Sequence, residues 1–151
     1  MEIIQYKSEH RKRFKDLNID WISRDFQVEE VDHNVLNDPE HYILKDGGCI
    51  LLATENDEVI GTAALINEGH DIFELTKMTV DERFRGRNIG YKLGLAILEK
   101  AKQLRAKKVI LFSNTVHNGN AIKLYFKLGF KEVPVDGALY IRADIKMEIS
   151  I

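Results

Sequence analysis

The sequence holds one cysteine, Cys49, in 151 residues. A single thiol excludes an internal disulfide and any zinc site built on several cysteines. Only Pro39 and Pro134 interrupt the backbone, and no Ser-, Gly- or Pro-rich tract is present. Nothing marks a linker, so one domain over residues 1–151 is expected. No run approaches the roughly 18 consecutive apolar residues that a membrane-crossing helix needs. The start, Met1-Glu2-Ile3-Ile4-Gln5-Tyr6, has no basic or apolar leader character, so a cytoplasmic protein without membrane contact is expected. Positive charge is not in excess: 22 Lys and Arg face 24 Asp and Glu, a formal charge of −2. Binding to nucleic acid through bulk charge is therefore not expected. His10, His33, His41, His70 and His117 show no ligand spacing, so no metal site is expected.

What the chain does have is a hydrophobic period that changes along its length. Met1 to Tyr6 is strand-compatible, and Ser8 with Arg11 to Asn18 reads as a capped helix whose apolar face continues to Trp21 and Ile22. Val28 to Leu36 predicts a second helix. After Gly47-Gly48, strand-length apolar runs cover Cys49 to Thr54, Val59 to Ile66 and Ile72 to Val80, the first two separated by Asn56-Asp57. From Asn88 the period becomes helical: Ile89, Leu93, Ile97, Ala101 and Leu104 share one face. Val109 to Phe112 is a short strand, Asn120 to Leu128 a helix stopped by Gly129, and Phe130 to Val133 and Ala143 to Ile149 are strands. The β–α–β step from Ile72 to Phe112 requires a crossover and suits a parallel pair, whereas the preceding hairpins suit antiparallel ones. An α/β chain with a mixed, mostly antiparallel sheet and helices on both faces is expected.

The densest chemistry lies in Met78-Thr79-Val80-Asp81-Glu82-Arg83-Phe84-Arg85-Gly86-Arg87-Asn88-Ile89-Gly90. A strand ends, an arginine-rich turn follows, and a long helix begins. The first N–H groups of that helix are unpaired and carry about half a positive charge. Gly86 and Gly90 lack Cβ atoms and allow a phosphate close to the backbone, and Asn88 tolerates positive φ. On physical grounds the stretch is either a phosphate cradle or a surface turn with solvated arginines. The orders of the P-loop and of the dinucleotide fingerprint are both absent.

The order Arg85-Gly86-Arg87-Asn88-Ile89-Gly90 resembles the phosphate-binding signature of the GNAT acetyltransferases, Arg/Gln-x-x-Gly-x-Gly/Ala, with Asn88 where glycine is usual. Asn118-Gly119-Asn120-Ala121-Ile122-Lys123-Leu124-Tyr125-Phe126-Lys127-Leu128-Gly129-Phe130 is similar to that family's second signature at every defining position. The resemblance covers Cys49 to Ile149; the first 48 residues follow the family only in element order. It implies an acetyl-CoA-dependent N-acetyltransferase working by direct attack in a ternary complex. Met78, Thr79 and Val80 would meet the pantetheine arm and the thioester. Arg85, Gly86, Arg87, Asn88, Ile89, Gly90 and Tyr91 would hold the pyrophosphate, Asn118 would bind pantetheine, and Tyr125 would protonate the departing thiolate. Rival readings are a non-catalytic acetyl-CoA sensor or interaction module, and a nucleotide- or phosphosugar-binding protein. A monomer and a homodimer are equally compatible with the sequence.

An amine acceptor arrives as ammonium and must lose a proton before it can attack. Glu74 matches the family's catalytic glutamate, and strict alternation puts it on one strand face with Thr76, Met78 and Val80. Asp71 and His117 are secondary candidates for the base. Cys49, in an apolar run, reads as core. Asp25, Glu29, Glu30, Asp32, Asp38 and Glu40 form an acidic stretch without Lys or Arg. In the family this region borders the acceptor cleft. Glu29 and Glu30, with an apolar wall from Trp21 and Phe26, would there attract a cationic acceptor; the alternative is a solvated helix face.

Overall fold

A computed structural model describes all of Met1–Ile151. Its strands are β1 (Glu2–Gln5), β2 (Cys49–Glu55), β3 (Glu58–Asn67), β4 (Ile72–Val80), β5 (Lys108–Ser113), β6 (Lys131–Val133) and β7 (Ile145–Ser150). Its helices are α1 (Arg11–Asp25), α2 (Glu30–Asn37), α3 (Ile89–Gln103) and α4 (Gly119–Leu128). The strands form one sheet in the order β1-β2-β3-β4-β5-β7-β6. Every pair is antiparallel except β4 and β5, between which α3 carries the chain back across the sheet. This is the mixed sheet that the change of period predicts. Helix α1 runs past Asn18 because Ile22 continues the buried face of Phe14 and Leu17. The turn Glu40–Leu44, π-helical and anchored by buried Ile43, has no counterpart in the sequence reading. No helix is long and apolar enough to cross a membrane.

Each face of the sheet buries its own core. Leu51, Ala63, Leu65, Phe73, Leu75, Val109 and Leu111 meet Leu93, Ile97, Leu98, Tyr125 and Leu128 on the α3/α4 side. Ile50, Leu52, Val59 and Ala64 meet Phe14, Leu17, Val35 and Leu36 on the α1/α2 side. Helices α3 and α4 touch at Gly94, where an added Cβ would stand 2.4 Å from a methyl of Leu128. Gly94→Ala is expected to cost about 1–3 kcal/mol by overpacking, despite alanine's better helix propensity. Urea unfolding with an unchanged m-value checks this.

Strand β4 does not alternate strictly. Thr76 pairs with Ala64 but Thr79 pairs with Thr62, so β4 carries one extra residue, and Lys77 adopts φ 51°. This bulge reverses the expected faces. Glu74 and Thr76 look toward α1/α2, whereas Met78 and Val80 pack with the α3/α4 core. The bulge is held from below: Thr62 Oγ1 donates to the Lys77 carbonyl at 2.7 Å, and Asn18 Nδ2 donates to Thr62 Oγ1 at 3.1 Å. A bulge bends its strand and increases its twist. Strand β4 pairs with β5 only at Ile72–Lys108, Phe73–Val109 and Glu74–Ile110. Beyond Glu74 the two strands part.

Candidate active site

The gap between the parted strands is a cavity of about 510 Å³, closed by the start of α3, the start of α4, and Tyr140 and Arg142 from the loop before β7. Of the expected cofactor residues, Met78, Thr79, Val80, Arg85, Gly86, Asn88, Ile89, Gly90, Tyr91, Asn118 and Tyr125 line it. Arg87 does not: its guanidinium forks onto Glu55 at 2.5 and 2.8 Å. Arg83 is likewise held by Asp81 and Glu58. One arginine of the three, Arg85, therefore faces the cavity, its Nε donating to the Val80 carbonyl at 3.2 Å.

The wide end of the cavity is built for an anion. Gly86 has φ 80° with open space where a Cβ would project. Asn88 is the N-cap of α3 at φ 64°, with no side-chain cap. The N–H groups of Ile89, Gly90 and Tyr91 are left for a ligand, at the positive end of a 15-residue helix. The left-handed turn accepts asparagine as it accepts glycine. These residues fit a pyrophosphate.

In the middle of the cavity stand Asn118, whose Nδ2 donates to Ser113 Oγ at 3.3 Å, and Tyr125. Burial alone pushes the Tyr125 phenol up to about 12, so it keeps its proton.

The narrow end holds a buried polar cluster. Glu74 is 4% exposed and does not line the cavity; Thr76, Lys77, Tyr140 and Arg142 do. Tyr140 Oη donates to Glu74 Oε2 at 3.1 Å and lies 3.2 Å from Thr76 Oγ1. Burial, opposed by the Tyr140 hydrogen bond and reinforced by nearby Glu68, raises Glu74 to about 7. Burial also holds Tyr140 well above the ordinary phenol range, so the phenol is the proton donor between them. Lys77 Nζ donates to Asp32 Oδ1 at 2.7 Å. Arg142 donates to both Asp32 oxygens, at 2.7 and 2.9 Å, and to Glu29 at 3.2 Å. Its guanidinium also lies 4.8 Å from the Tyr140 ring centroid and about 6 Å from those of Trp21 and Phe26.

The acidic stretch is thereby corrected. Asp32 is fully buried beneath Lys77 and Arg142. Glu29 is taken by Arg142 and by the Ile141 and Arg142 N–H groups. Glu40 is bound by Arg11 and Tyr6. Glu30 is exposed, and neither Glu29 nor Glu30 lines the cavity. Trp21 lines it, whereas Phe26 packs edge-on against Trp21 and His117 behind the wall. No carboxylate lines the cavity; Lys77, Arg85 and Arg142 do. Asp71 sits in the β3–β4 turn away from it, and His117 lies at its rim, 3.7 Å from Asp25. Cys49 is buried, its thiol pushed up to about 11, as suits a core residue.

Tyr140, Arg142 and Lys77 have no assigned role in the sequence reading, and Asp32 enters it only as one acid of the stretch between residues 25 and 40. The available signal was weak: a lysine inside an apolar strand and an acid on the apolar face of a short helix. Asn114 escaped too. Its Oδ1 accepts from the Val116 and His117 N–H groups and its Nδ2 donates to the Arg142 carbonyl, joining the two loops that close the cavity.

Comparison with known proteins adds three findings. Residues 15–130 match the family described as "Acetyltransferase (GNAT) family". N-acetylaspartate synthetase of Xenopus tropicalis is 37% identical over 102 residues, 66% of this chain but only 37% of that protein; this chain thus spans little more than a third of that relative. Among solved structures, a GNAT-family acetyltransferase from Staphylococcus aureus superposes with a TM-score of 0.89 at 22% identity, over 99% of this chain and 98% of the other. A Bacillus subtilis acetyltransferase in complex with CoA gives 0.75 at 18%, over 99% and 98%.

Proposed function

The chain belongs to the GNAT acetyltransferase family, and from that premise we propose that it transfers the acetyl group of acetyl-CoA to the primary amine of a small acceptor that also carries a carboxylate. The observation that carries the choice of acceptor is the charge of the narrow end. It presents the Arg142 guanidinium to a cavity that no acid lines, with Asp32 behind it holding both Arg142 and the enclosed Lys77 in place. A carboxylate can take the guanidinium donors left over from Asp32 and Glu29, while a polycation would find no free carboxylate there. The name of the Xenopus relative, an N-acetylaspartate synthetase, agrees with an amino-acid acceptor.

Acetyl-CoA enters with its pyrophosphate on the α3 N-terminus and Arg85, and its pantetheine along Met78 to Val80. The thioester then lies between Tyr125 and the divergence of β4 from β5. The acceptor ammonium gives one proton through the Tyr140 hydroxyl to Glu74. The freed amine attacks the thioester carbonyl, a C–N bond forms, and backbone N–H groups near Met78 to Val80 stabilise the oxyanion. The C–S bond then breaks and the sulfur takes a proton from Tyr125, which the amide nitrogen's second proton restores. In balance, an ammonium and a thioester become an amide, a thiol and one released proton.

The test is calorimetric titration with acetyl-CoA, followed by free-thiol release over a panel containing acidic, neutral and basic amino acids and polyamines. Acidic and neutral amino acids are expected to turn over and polyamines are not. Arg142→Met is expected to raise the amino-acid KM by about 10- to 100-fold, as loss of a charge-assisted pair predicts, while acetyl-CoA affinity stays the same. Turnover of polyamines in preference to acids would overturn the choice of acceptor. Binding of acetyl-CoA without turnover of any amine would favour a sensor.

A further inference from the structure

The base has a second carboxyl beside it that the reaction scheme above leaves out. Glu74 pairs across the sheet with Ile66 of β3. Glu68, two residues beyond Ile66, lies on the same face and is the diagonal neighbour of Glu74, a separation that long side chains bridge. The hairpin holds this register through Glu68 N–H donating to the Ile72 carbonyl at 2.8 Å. At that diagonal position Glu68 raises the Glu74 carboxyl, as a like charge and as a neighbour within side-chain reach. Two neighbouring carboxyl groups can hydrogen-bond to each other when one proton sits between them. Glu74 is enclosed, whereas Glu68 is exposed at the turn.

We infer that Glu68 and Glu74 act as a proton-sharing pair: Glu74 receives the acceptor's proton from the cavity side through Tyr140, and Glu68 passes it to solvent at the opposite end of the strand. The inference rests on the acetyl-transfer reading for its purpose, since each turnover there releases one proton, but the pair itself is a property of the fold. The order of groups is Thr76 and Tyr140 at the cavity, Glu74 at 3.1 Å from the Tyr140 hydroxyl, then its diagonal neighbour Glu68 at the surface. A direct route from Glu74 back through the cavity would cross the bound thioester and acceptor.

The other groups around Glu74 do not offer this exit. Lys77, on the same strand, is committed to Asp32 of α2, and Arg142 shares that acid. On β5 the partner of Glu74 is apolar Ile110, and beyond it Glu148 of β7 is held by Lys108 at 3.1 Å. Like charge from Glu68 raises Glu74 and the Lys77 cation lowers it. Glu68 is thus a positioning residue for the proton on the base, not a group that touches substrate.

The experiment is glutamate carboxyl ¹³C NMR on the full chain between pH 4 and 9, with the Glu74 signal assigned by its loss in Glu74→Gln. Glu68→Gln, at an exposed site, leaves the fold intact. The wild type is expected to show Glu74 titrating near pH 7. In Glu68→Gln that titration is expected to move about one pH unit lower, and the acid limb of kcat/KM to move with it. A Glu74 titration that stays in place, or that rises, overturns the pair. An NMR shift in a protein that fails to acetylate any amine leaves the pair standing and removes the acetyl-transfer reading instead. Normal acetylation with an unmoved Glu74 signal does the reverse.

Discussion

Replacing Asp32 by alanine is expected to destabilise the protein by about 3–5 kcal/mol, the range for removing one partner of a buried ion pair. The size follows from what is left behind. Asp32 is fully buried and is the shared partner of Lys77 and Arg142. Without it Lys77, itself almost completely enclosed, has no carboxylate within hydrogen-bond reach, and burial already pulls the Lys77 ammonium below its ordinary range. Lys77 is also the bulge residue of β4, so the damage falls where the strands part. Urea unfolding at pH 7 measures the loss. A second substitution, Lys77→Met in the Asp32→Ala background, is expected to recover part of it, because an apolar pair no longer holds an uncompensated charge. The same ion pair makes the wild type sensitive to acid. Lys77 and Arg142 hold the Asp32 carboxyl well below the usual carboxylate range, against the opposing effect of burial. Its contribution is therefore complete above the unfolded-state value, about 3.9, and is lost as pH falls through the depressed folded value. Asp32→Ala removes that part of the acid slope.

The second large effect is on rate. Glu74→Gln is expected to lower kcat/KM by about 10²- to 10⁴-fold, the usual contribution of a positioned base, and to erase the acid limb near pH 7. The amide is nearly isosteric and keeps an acceptor for the Tyr140 hydroxyl, so the change removes proton affinity rather than shape. Stability moves the other way. The folded value of Glu74, about 7, lies above its ordinary 4.5. Between those values the folded protein holds a proton that the unfolded chain has released, so stability falls as pH rises through that window. Above pH 7 the fold keeps an ionised carboxylate buried. Glutamine lifts that cost, and the variant is expected to melt at a higher temperature than the wild type at pH 8. A variant that is both slower and more stable marks a group kept for chemistry. Unchanged kcat/KM would remove Glu74 from the mechanism.

Much of this protein is determined by the sequence alone. The switch from strand to helix period at Asn88 separates β4 from α3, and the crossover it forces makes β4 and β5 the parallel pair. The Arg85–Gly90 turn and the Asn118–Gly129 helix carry local conformational requirements: positive φ at Gly86 and Asn88, a helix start with unpaired N–H groups, and a glycine stop at Gly129. Such features depend on neighbours within a few residues, which is why they can be read from the chain.

The narrow end of the cavity was decided only in three dimensions. The bulge at Lys77 depends on Thr62 and Asn18 beneath it, and it reversed the faces that strict alternation assigns to Met78 and Val80. The acids of residues 25–40 looked like an open negative lip. Asp32 and Glu29 instead meet Arg142, more than a hundred residues away in the chain, and Lys77 on a different element. Charge counted along a sequence assumes that each group is solvated, and pairing across the fold cancels it or inverts its effect. Tyr140 comes to Glu74 from 66 positions away. No periodicity specifies that approach, because it is set by where two loops close over one strand. Local backbone requirements fixed the open N-terminal turn of α3; long-range pairing of buried charges decided which charged groups face the cavity.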